Sequence, residues 1–213
     1  MMFVLLFIIA YLFGSIPIGY LIVKIKGKGD IRKKGSGAIG GTNVIRVLGM
    51  KYGILVSALD VLKACFPVLL ATKFLSFGSP RFGGEAGWQL VFVAIAPVLG
   101  HIFPCFLKFK GGKGVATMIG SLTALFGWRF ILVVLCYAVL YFSVFQIASL
   151  FSLSFSAALP LICYLFFPKT PSVFLGIFLL LLIWWAHREN IQRIKTGEEH
   201  RGKLDFSKWI KKS

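Results

Sequence analysis

The chain alternates long apolar runs with short polar stretches rich in glycine and basic residues. The runs cover residues 3–23, 52–75, 88–107, 114–126, 130–149, 151–167 and 173–186. Four approach the length of about 20 residues that carries a helix across a hydrocarbon core of about 30 Å. The runs 114–126, 151–167 and 173–186 are shorter, the length of a short span, a re-entrant segment or an interfacial helix. The pattern predicts an all-α, polytopic membrane helix bundle forming a single integral-membrane domain over residues 1–213. No second domain, low-complexity tract or internal repeat interrupts it.

Charge orients the bundle. The first run has no basic residue ahead of it, unlike a signal peptide, and its charges begin afterwards at Lys24. Residues 24–51 carry eight Lys/Arg and one acid, Asp30; Lys108, Lys110 and Lys113 follow the third run; and the tail, residues 187–213, carries eight more. These stretches hold 19 of the 24 basic residues, so the positive-inside rule makes 24–51 a cytoplasmic loop and 187–213 a cytoplasmic basic tail. The N-terminus is then outside. Seven crossings satisfy both ends; five crossings with two re-entrant pieces keep the same parity.

Composition removes other classes. A chain that is 58% hydrophobic, with mean hydropathy +0.86, 22 Phe and 5 Trp, is neither disordered nor a basic nucleic-acid-binding domain, despite its net charge of +17. Cys65, Cys105, Cys136 and Cys163 form no C-x-x-C pair and sit in apolar runs, so they read as small core residues and indicate no metal site.

Three clusters stand out from ordinary loops. The first, residues 35–46, reads Gly-Ser-Gly-Ala-Ile-Gly-Gly-Thr-Asn-Val-Ile-Arg. Its glycines permit backbone N–H groups to converge on an anion, and Arg46 can grip phosphate oxygens in a bidentate manner. Gly35 to Gly40 also fits G-x-G-x-x-G, but no strand precedes it, so the dinucleotide reading is weak. The second cluster is Gly100-His101 followed by Lys110-Gly111-Gly112-Lys113-Gly114, ahead of a short apolar run. It reads as a phosphate cradle at a helix N-terminus, or as a tight turn with stop-transfer lysines. It is not a P-loop. His101 by itself reads as a packed, hydrogen-bonded histidine.

The third cluster, His187-Arg188-Glu189-Asn190-Ile191-Gln192-Arg193, lies where the last run ends. If the helix continues, His187 and Asn190 share a face and Glu189 points elsewhere, free to pair with a loop arginine. Asp60 and Lys63, three residues apart, are the only ionisable pair well inside a run, as a structural ion pair or a functional one. His200 and Asp205 match the H-x-x-x-x-D spacing of some glycerolipid acyltransferases, but in a charged tail the match reads as chance.

Taken in order, Gly35-Ser36-Gly37…Thr42-Asn43…Arg46, Gly100-His101…Lys110-Gly111-Gly112-Lys113-Gly114-Val115-Ala116-Thr117 and His187-Arg188-Glu189-Asn190-Ile191 resemble the bacterial acyl-phosphate:glycerol-3-phosphate acyltransferase family. Gly14-Ser15-Ile16-Pro17 and Leu59-Asp60-Val61-Leu62-Lys63 look similar too. The resemblance runs from the first span to about Arg201. It implies a seven-helix enzyme of the bacterial plasma membrane, independent of metal and CoA, with its site at the cytoplasmic face. Such an enzyme moves a fatty acyl group from acyl-phosphate to the 1-hydroxyl of glycerol 3-phosphate, giving lysophosphatidic acid and phosphate, the first step of phospholipid synthesis.

The resemblance implies His187, Asn190, Ser36 and Lys113 as catalytic residues. It implies Arg46, Thr42, Asn43, Gly111, Gly112 and Ser149 as substrate-binding, and Glu189, Asp60 and Lys63 as structural. No cofactor is expected; the partners are the two substrates and membrane lipids, without nucleic acid, and a monomer is compatible with the sequence. The chain departs from the family at Ala38, where Asn is usual, and at Gln146, where the first serine of a Ser-x-x-Ser pattern ending at Ser149 is expected. The scarcity of acids agrees with phosphorylated substrates, which a site carboxylate would repel. Two other readings remain open: a small-anion transporter, which predicts polar groups through the membrane depth, and a non-catalytic anchor for anionic lipid.

Overall fold

A computed structural model of the chain describes residues 1–75 and 83–199. Among these residues all regular structure is helical. The α-helices are α1 (Met2–Ser15), α2 (Ile18–Ile25), α3 (Gly41–Leu48), α4 (Met50–Leu75), α5 (Gly84–Ile102), α6 (Val115–Phe126), α7 (Trp128–Val144), α8 (Ala148–Phe166), α9 (Thr170–Ala186) and α10 (Arg188–Lys195). The His200/Asp205 pair lies outside the described residues.

Several run boundaries shift for identifiable reasons. The first run is two helices, because Pro17 supplies no N–H and biases Ile16 away from helical geometry (φ −59°, ψ 115°). Residues 24–51 are not a simple loop: α2 extends into them and α3 lies within them. The fifth run breaks at residues 145–147, so Ser149 belongs to α8. After α9 the chain turns by 62° at His187 instead of continuing straight.

Four segments are long and apolar enough to cross a membrane: Met2–Ile25, Met50–Leu75, Gly84–Leu107 and Ala148–Phe166, with a fifth if the bent α9–α10 pair counts as one. Helix α7 has 17 residues and α6 only 12. At 1.5 Å per residue α6 is about 18 Å long, well short of the hydrocarbon core. It is instead packed inside the bundle, with Met118, Leu122 and Leu125 buried.

Small residues let the main helix pairs approach closely. A Cβ on Gly14 of α1 would lie 2.2 Å from the Pro97 carbonyl oxygen of α5, and one on Gly120 of α6 would lie 2.1 Å from the Val61 oxygen of α4. Phe130, Phe155, Leu159, Leu175 and Leu179 fill the space between α7, α8 and α9. Val139, Leu140, Leu165 and Leu181 face outward and are exposed, as lipid-facing side chains are. At one end the three basic stretches meet: Arg32 donates to the Leu107 oxygen (3.3 Å) and Lys113 to Asn190.

Candidate functional site

The glycine-rich segment ahead of α3 is held from within by Asn43. This side chain is buried; its Oδ1 accepts the Ser36 N–H (2.9 Å), and its Nδ2 donates to the carbonyls of Lys34 (2.9 Å) and Ala38 (2.8 Å). One carboxamide therefore shapes residues 34–43. Gly35 is required beside it: its φ is +56°, and a Cβ there would stand 2.1 Å from Asn43 Oδ1. Asn43 therefore scaffolds the loop, with both amide hydrogens and one bond to its oxygen given to residues 34–38, while it also lines the cavity. Thr42 and Arg46 remain on the cavity side, and Arg46 makes no ion pair among the described residues.

The second glycine segment is anchored in the opposite sense from a phosphate cradle. The Gly111 N–H donates to the Ile102 oxygen (3.2 Å) and the Gly112 N–H to the His101 oxygen (2.9 Å), capping the C-terminus of α5. Both N–H groups are thus engaged within the turn, and neither is free for an anion. These positions are glycine because space forbids anything else: a Cβ on Gly112 would lie 2.1 Å from His101 Nε2. What the segment delivers is Lys113 and the start of α6.

Both short helices begin at the same cavity of about 320 Å³, which Gly41 and Thr42 of α3 and Val115 and Ala116 of α6 line. The first intrahelical donors are Asn43 in α3, bonded to Gly40 O, and Met118 in α6, bonded to Gly114 O, so the N–H groups just ahead of each are unspent. Two helix N-termini, the Lys113 ammonium and the Arg46 guanidinium thus act on one space, a combination that favours anions. Burial, then the nearby Arg193 charge, lowers the Lys113 pKa to about 8.

His187 and Asn190 line the same space from the bend between α9 and α10. His187 Nδ1 is 2.8 Å from the Ile183 carbonyl oxygen, which can only accept, so Nδ1 carries the proton and Nε2 keeps a lone pair. Asn190 Oδ1 accepts from Lys113, and its Nδ2 donates to Glu199 Oε1 (2.7 Å). Glu199 is held further by Ser149 Oγ (2.8 Å) and Arg193 Nε (2.8 Å), and its pKa is lowered by these three partners in spite of its burial.

Below the cavity, Asp60 Oδ1 lies 2.8 Å from Lys63 Nζ and 3.6 Å from His101 Nδ1. Lys63 also donates to the Ile16 oxygen (2.7 Å), tying the break between α1 and α2 to α4 and α5. His101 is thus more than a packed core residue: it joins this buried pair to the Gly111–Gly112 turn. The ion pair is structural in its contacts, although Asp60 and His101 both line the cavity.

The structure brings Ser36, Thr42, Arg46, Lys113, Ser149, His187 and Asn190 around one cavity. Gly111, Gly112 and Glu189 line an adjoining surface groove instead, and Glu189 is exposed with no ion pair among the described residues. The tail glutamate that does pair with an arginine is Glu199, which sequence reading passed over in a segment dominated by basic residues. Asp60 and Glu199 also show that the cavity is not free of carboxylates; each is matched by a cation, so its charge is balanced locally. Of the two departures, Ala38 lines the cavity, whereas Gln146 is exposed in the α7–α8 break.

An outward-facing apolar belt around a helical bundle, with a cation-rich cavity at one end, defines an integral membrane protein equipped for anionic ligands. The sequence profile of the glycerol-3-phosphate acyltransferase family matches residues 4–197. The chain is 44% identical to a glycerol-3-phosphate acyltransferase of Aquifex aeolicus, over 92% of this chain and 97% of that protein. It is 38% identical to one of Syntrophotalea carbinolica, over 94% and 98%. It superposes on the crystal structure of PlsY (YgiH), an integral membrane glycerol 3-phosphate acyltransferase, in its glycerol 3-phosphate form. That match has a TM-score of 0.85 at 40% identity and covers 97% of this chain and 98% of that one. The lysophosphatidic acid form gives a TM-score of 0.82. The chain belongs to the glycerol-3-phosphate acyltransferase family and is a membrane-embedded acyltransferase.

Proposed function

We propose that the protein transfers a fatty acyl group from acyl-phosphate to the 1-hydroxyl of glycerol 3-phosphate, releasing lysophosphatidic acid and inorganic phosphate. One observation carries this reading: two helix N-termini, Lys113 and Arg46 converge on a cavity that His187, with its Nε2 lone pair free, also lines. Both substrates bring phosphate groups, which these donors suit. Acyl-phosphate is already activated, so no covalent enzyme intermediate is needed. The hydroxyl oxygen attacks the acyl carbonyl carbon, the bond from that carbon to the phosphate oxygen breaks, and phosphate leaves as an anion.

Each residue has a part in that scheme. His187 Nε2 accepts the hydroxyl proton as attack proceeds. Lys113 and the α6 N-terminus stabilise charge on the departing phosphate, and Arg46 with the α3 N-terminus holds the phosphate of the acceptor. Ser36 and Thr42 add hydroxyl contacts on the α3 side. The acyl chain lies along the apolar helices and brings its reactive end to the cavity. The site faces the cytoplasm of a bacterial inner membrane with the N-terminus outside, a sidedness that the clustering of basic residues supports. No cofactor takes part.

Purified protein in lipid, given acyl-phosphate and labelled glycerol 3-phosphate without CoA, tests the reading. Labelled lysophosphatidic acid is the expected product. Product formed only when acyl-CoA replaces acyl-phosphate would overturn the donor assignment, and no product from any donor, with glycerol 3-phosphate binding demonstrated, would overturn the reaction.

A further inference from the structure

Among the described residues, Glu199 is the one carboxylate within hydrogen-bonding distance of three residues of the cavity wall and its rim. It lies nine residues beyond Asn190 and fifty beyond Ser149, and its side chain is only 6% exposed. Oε1 receives the Ser149 hydroxyl and the Asn190 amide; Oε2 receives Arg193 Nε. The opposite end of the Asn190 carboxamide faces Lys113.

A carboxamide offers an acceptor at one end and donors at the other. Between an ammonium, which only donates, and a carboxylate, which only accepts, it has a single satisfied orientation. Rotated by half a turn, Asn190 would set its NH2 against the Lys113 ammonium and its oxygen against the Glu199 carboxylate, losing both bonds and adding repulsion at each end. Without a carboxylate at 199, nothing on that side chooses between the two.

Resting on the acyl transfer proposed above, we propose that Glu199 is a positioning residue: it locks the Asn190 carboxamide so that its oxygen holds the Lys113 ammonium at the cavity, and it fixes the Ser149 hydroxyl in the same network. Although it lines the cavity, its oxygens are engaged by Ser149, Asn190 and Arg193, and it acts through them. Its negative charge has a second effect, since Lys113 is pressed toward neutrality by burial and by Arg193 and Arg46, and drawn back toward its charged form by Glu199 and Glu189. His187, at the bend, is the remaining titratable group coupled to Lys113. Glu199 therefore sets both where the Lys113 ammonium sits and up to what pH it persists.

The test compares Glu199→Gln with Glu199→Asp in lipid-reconstituted full-length protein. Gln can still accept from Asn190 through its oxygen, but it carries no charge and turns an NH2 toward Arg193. Glu199→Gln is expected to lower kcat/KM about ten- to a hundredfold, the scale of losses when a site group is misplaced by a fraction of a bond length. The alkaline limb of its kcat/KM profile moves to lower pH, and Glu199→Asp restores part of both effects. Competitive labelling of Lys113 with acetic anhydride across pH, read by mass spectrometry, reports the same shift without any turnover. It therefore tests Glu199 even if the wild-type protein proves inactive with acyl-phosphate, a result that would count against the proposed reaction alone.

Should Glu199→Gln fail to fold, Glu199→Asp carries the test: a carboxylate drawn back by one methylene weakens its bonds to Asn190 and Ser149, and the Lys113 labelling midpoint moves down by a smaller amount. Unshifted midpoints and limbs in folded variants would overturn the proposal. So would a gain in kcat/KM for Glu199→Gln, which would make the carboxylate a competitor of substrate phosphate.

Discussion

Lys113 and Asn190, 77 residues apart in sequence, are joined by a hydrogen bond from the ammonium to the carboxamide oxygen across the mouth of the cavity. The bond couples the α5–α6 connection to the bend after α9, and it holds a half-buried cation at the cavity. Burial is the main reason that this ammonium loses its proton at about pH 8 instead of near 10.5.

That value sets a pH dependence with a definite sign. Anions bind the ammonium form, which is fully present below about pH 8 and lost as pH rises through it. In the free enzyme kcat/KM for glycerol 3-phosphate therefore holds level up to that point with respect to this group and falls about tenfold per pH unit above it. A bound phosphate favours the ammonium, so the limb in kcat lies at higher pH. Lys113→Arg, charged throughout this range, abolishes the limb, while Lys113→Ala lowers kcat/KM at least about a hundredfold at pH 7. Initial-rate profiles from pH 6 to 10 measure all three.

His187→Ala removes the proposed proton acceptor and leaves the bond from its Nδ1 to the Ile183 oxygen unmade. The expected loss in kcat is about a hundredfold or more, with a small change in KM for glycerol 3-phosphate, because the ring is used as the hydroxyl reacts and not in holding the phosphate. Steady-state kinetics separate the two constants. A normal kcat would transfer the proton to the substrate's own phosphate.

Gly112→Ala tests the capping role of the second glycine turn. With His101 Nε2 at 2.1 Å from the new Cβ, either the turn or the histidine moves, and Lys113 moves with the turn. Thermal unfolding in detergent is expected to show a lower Tm, and KM for phosphorylated substrate to rise. A variant with unchanged Tm and KM would mean that the turn has slack that its geometry does not show.

Asp60→Asn or Lys63→Met, made singly, leaves one buried charge without its partner and is expected to destabilise the protein by about 3–5 kcal/mol. The double variant should cost much less than the sum of the two. Denaturation of each variant in mixed micelles gives the coupling; additive losses would show that the two side chains act independently despite the 2.8 Å separation.

Much of this was legible in the sequence because polar groups are conspicuous in an apolar chain. Lys113, His187 and Asn190 interrupt runs that otherwise belong in lipid, and they converge as that interruption suggests. The split at Pro17 and the burial of α6 were only partly visible: Pro17 carried the signal, but the length of 12 residues leaves re-entry, interface and interior open. The break at residues 145–147 left Gln146 as its one trace, since Phe145 and Ile147 are as apolar as their neighbours. The scaffolding bonds of Asn43 were not legible, because an amide in a glycine loop looks the same in sequence whether its partner is a ligand or the loop's own carbonyls. Glu199 was hidden by distance: it follows the end of α10, and its partner Ser149 is fifty residues away on α8.

Donor use tests the central claim most directly. With purified protein in lipid, labelled glycerol 3-phosphate and either acyl-phosphate or acyl-CoA, initial rates of lysophosphatidic acid formation are compared and released phosphate is counted. The proposed reaction predicts product from acyl-phosphate alone, one phosphate released for each lysophosphatidic acid formed, and a rate that collapses in Lys113→Ala. Equal or faster turnover with acyl-CoA, or an undiminished rate in Lys113→Ala, would contradict it.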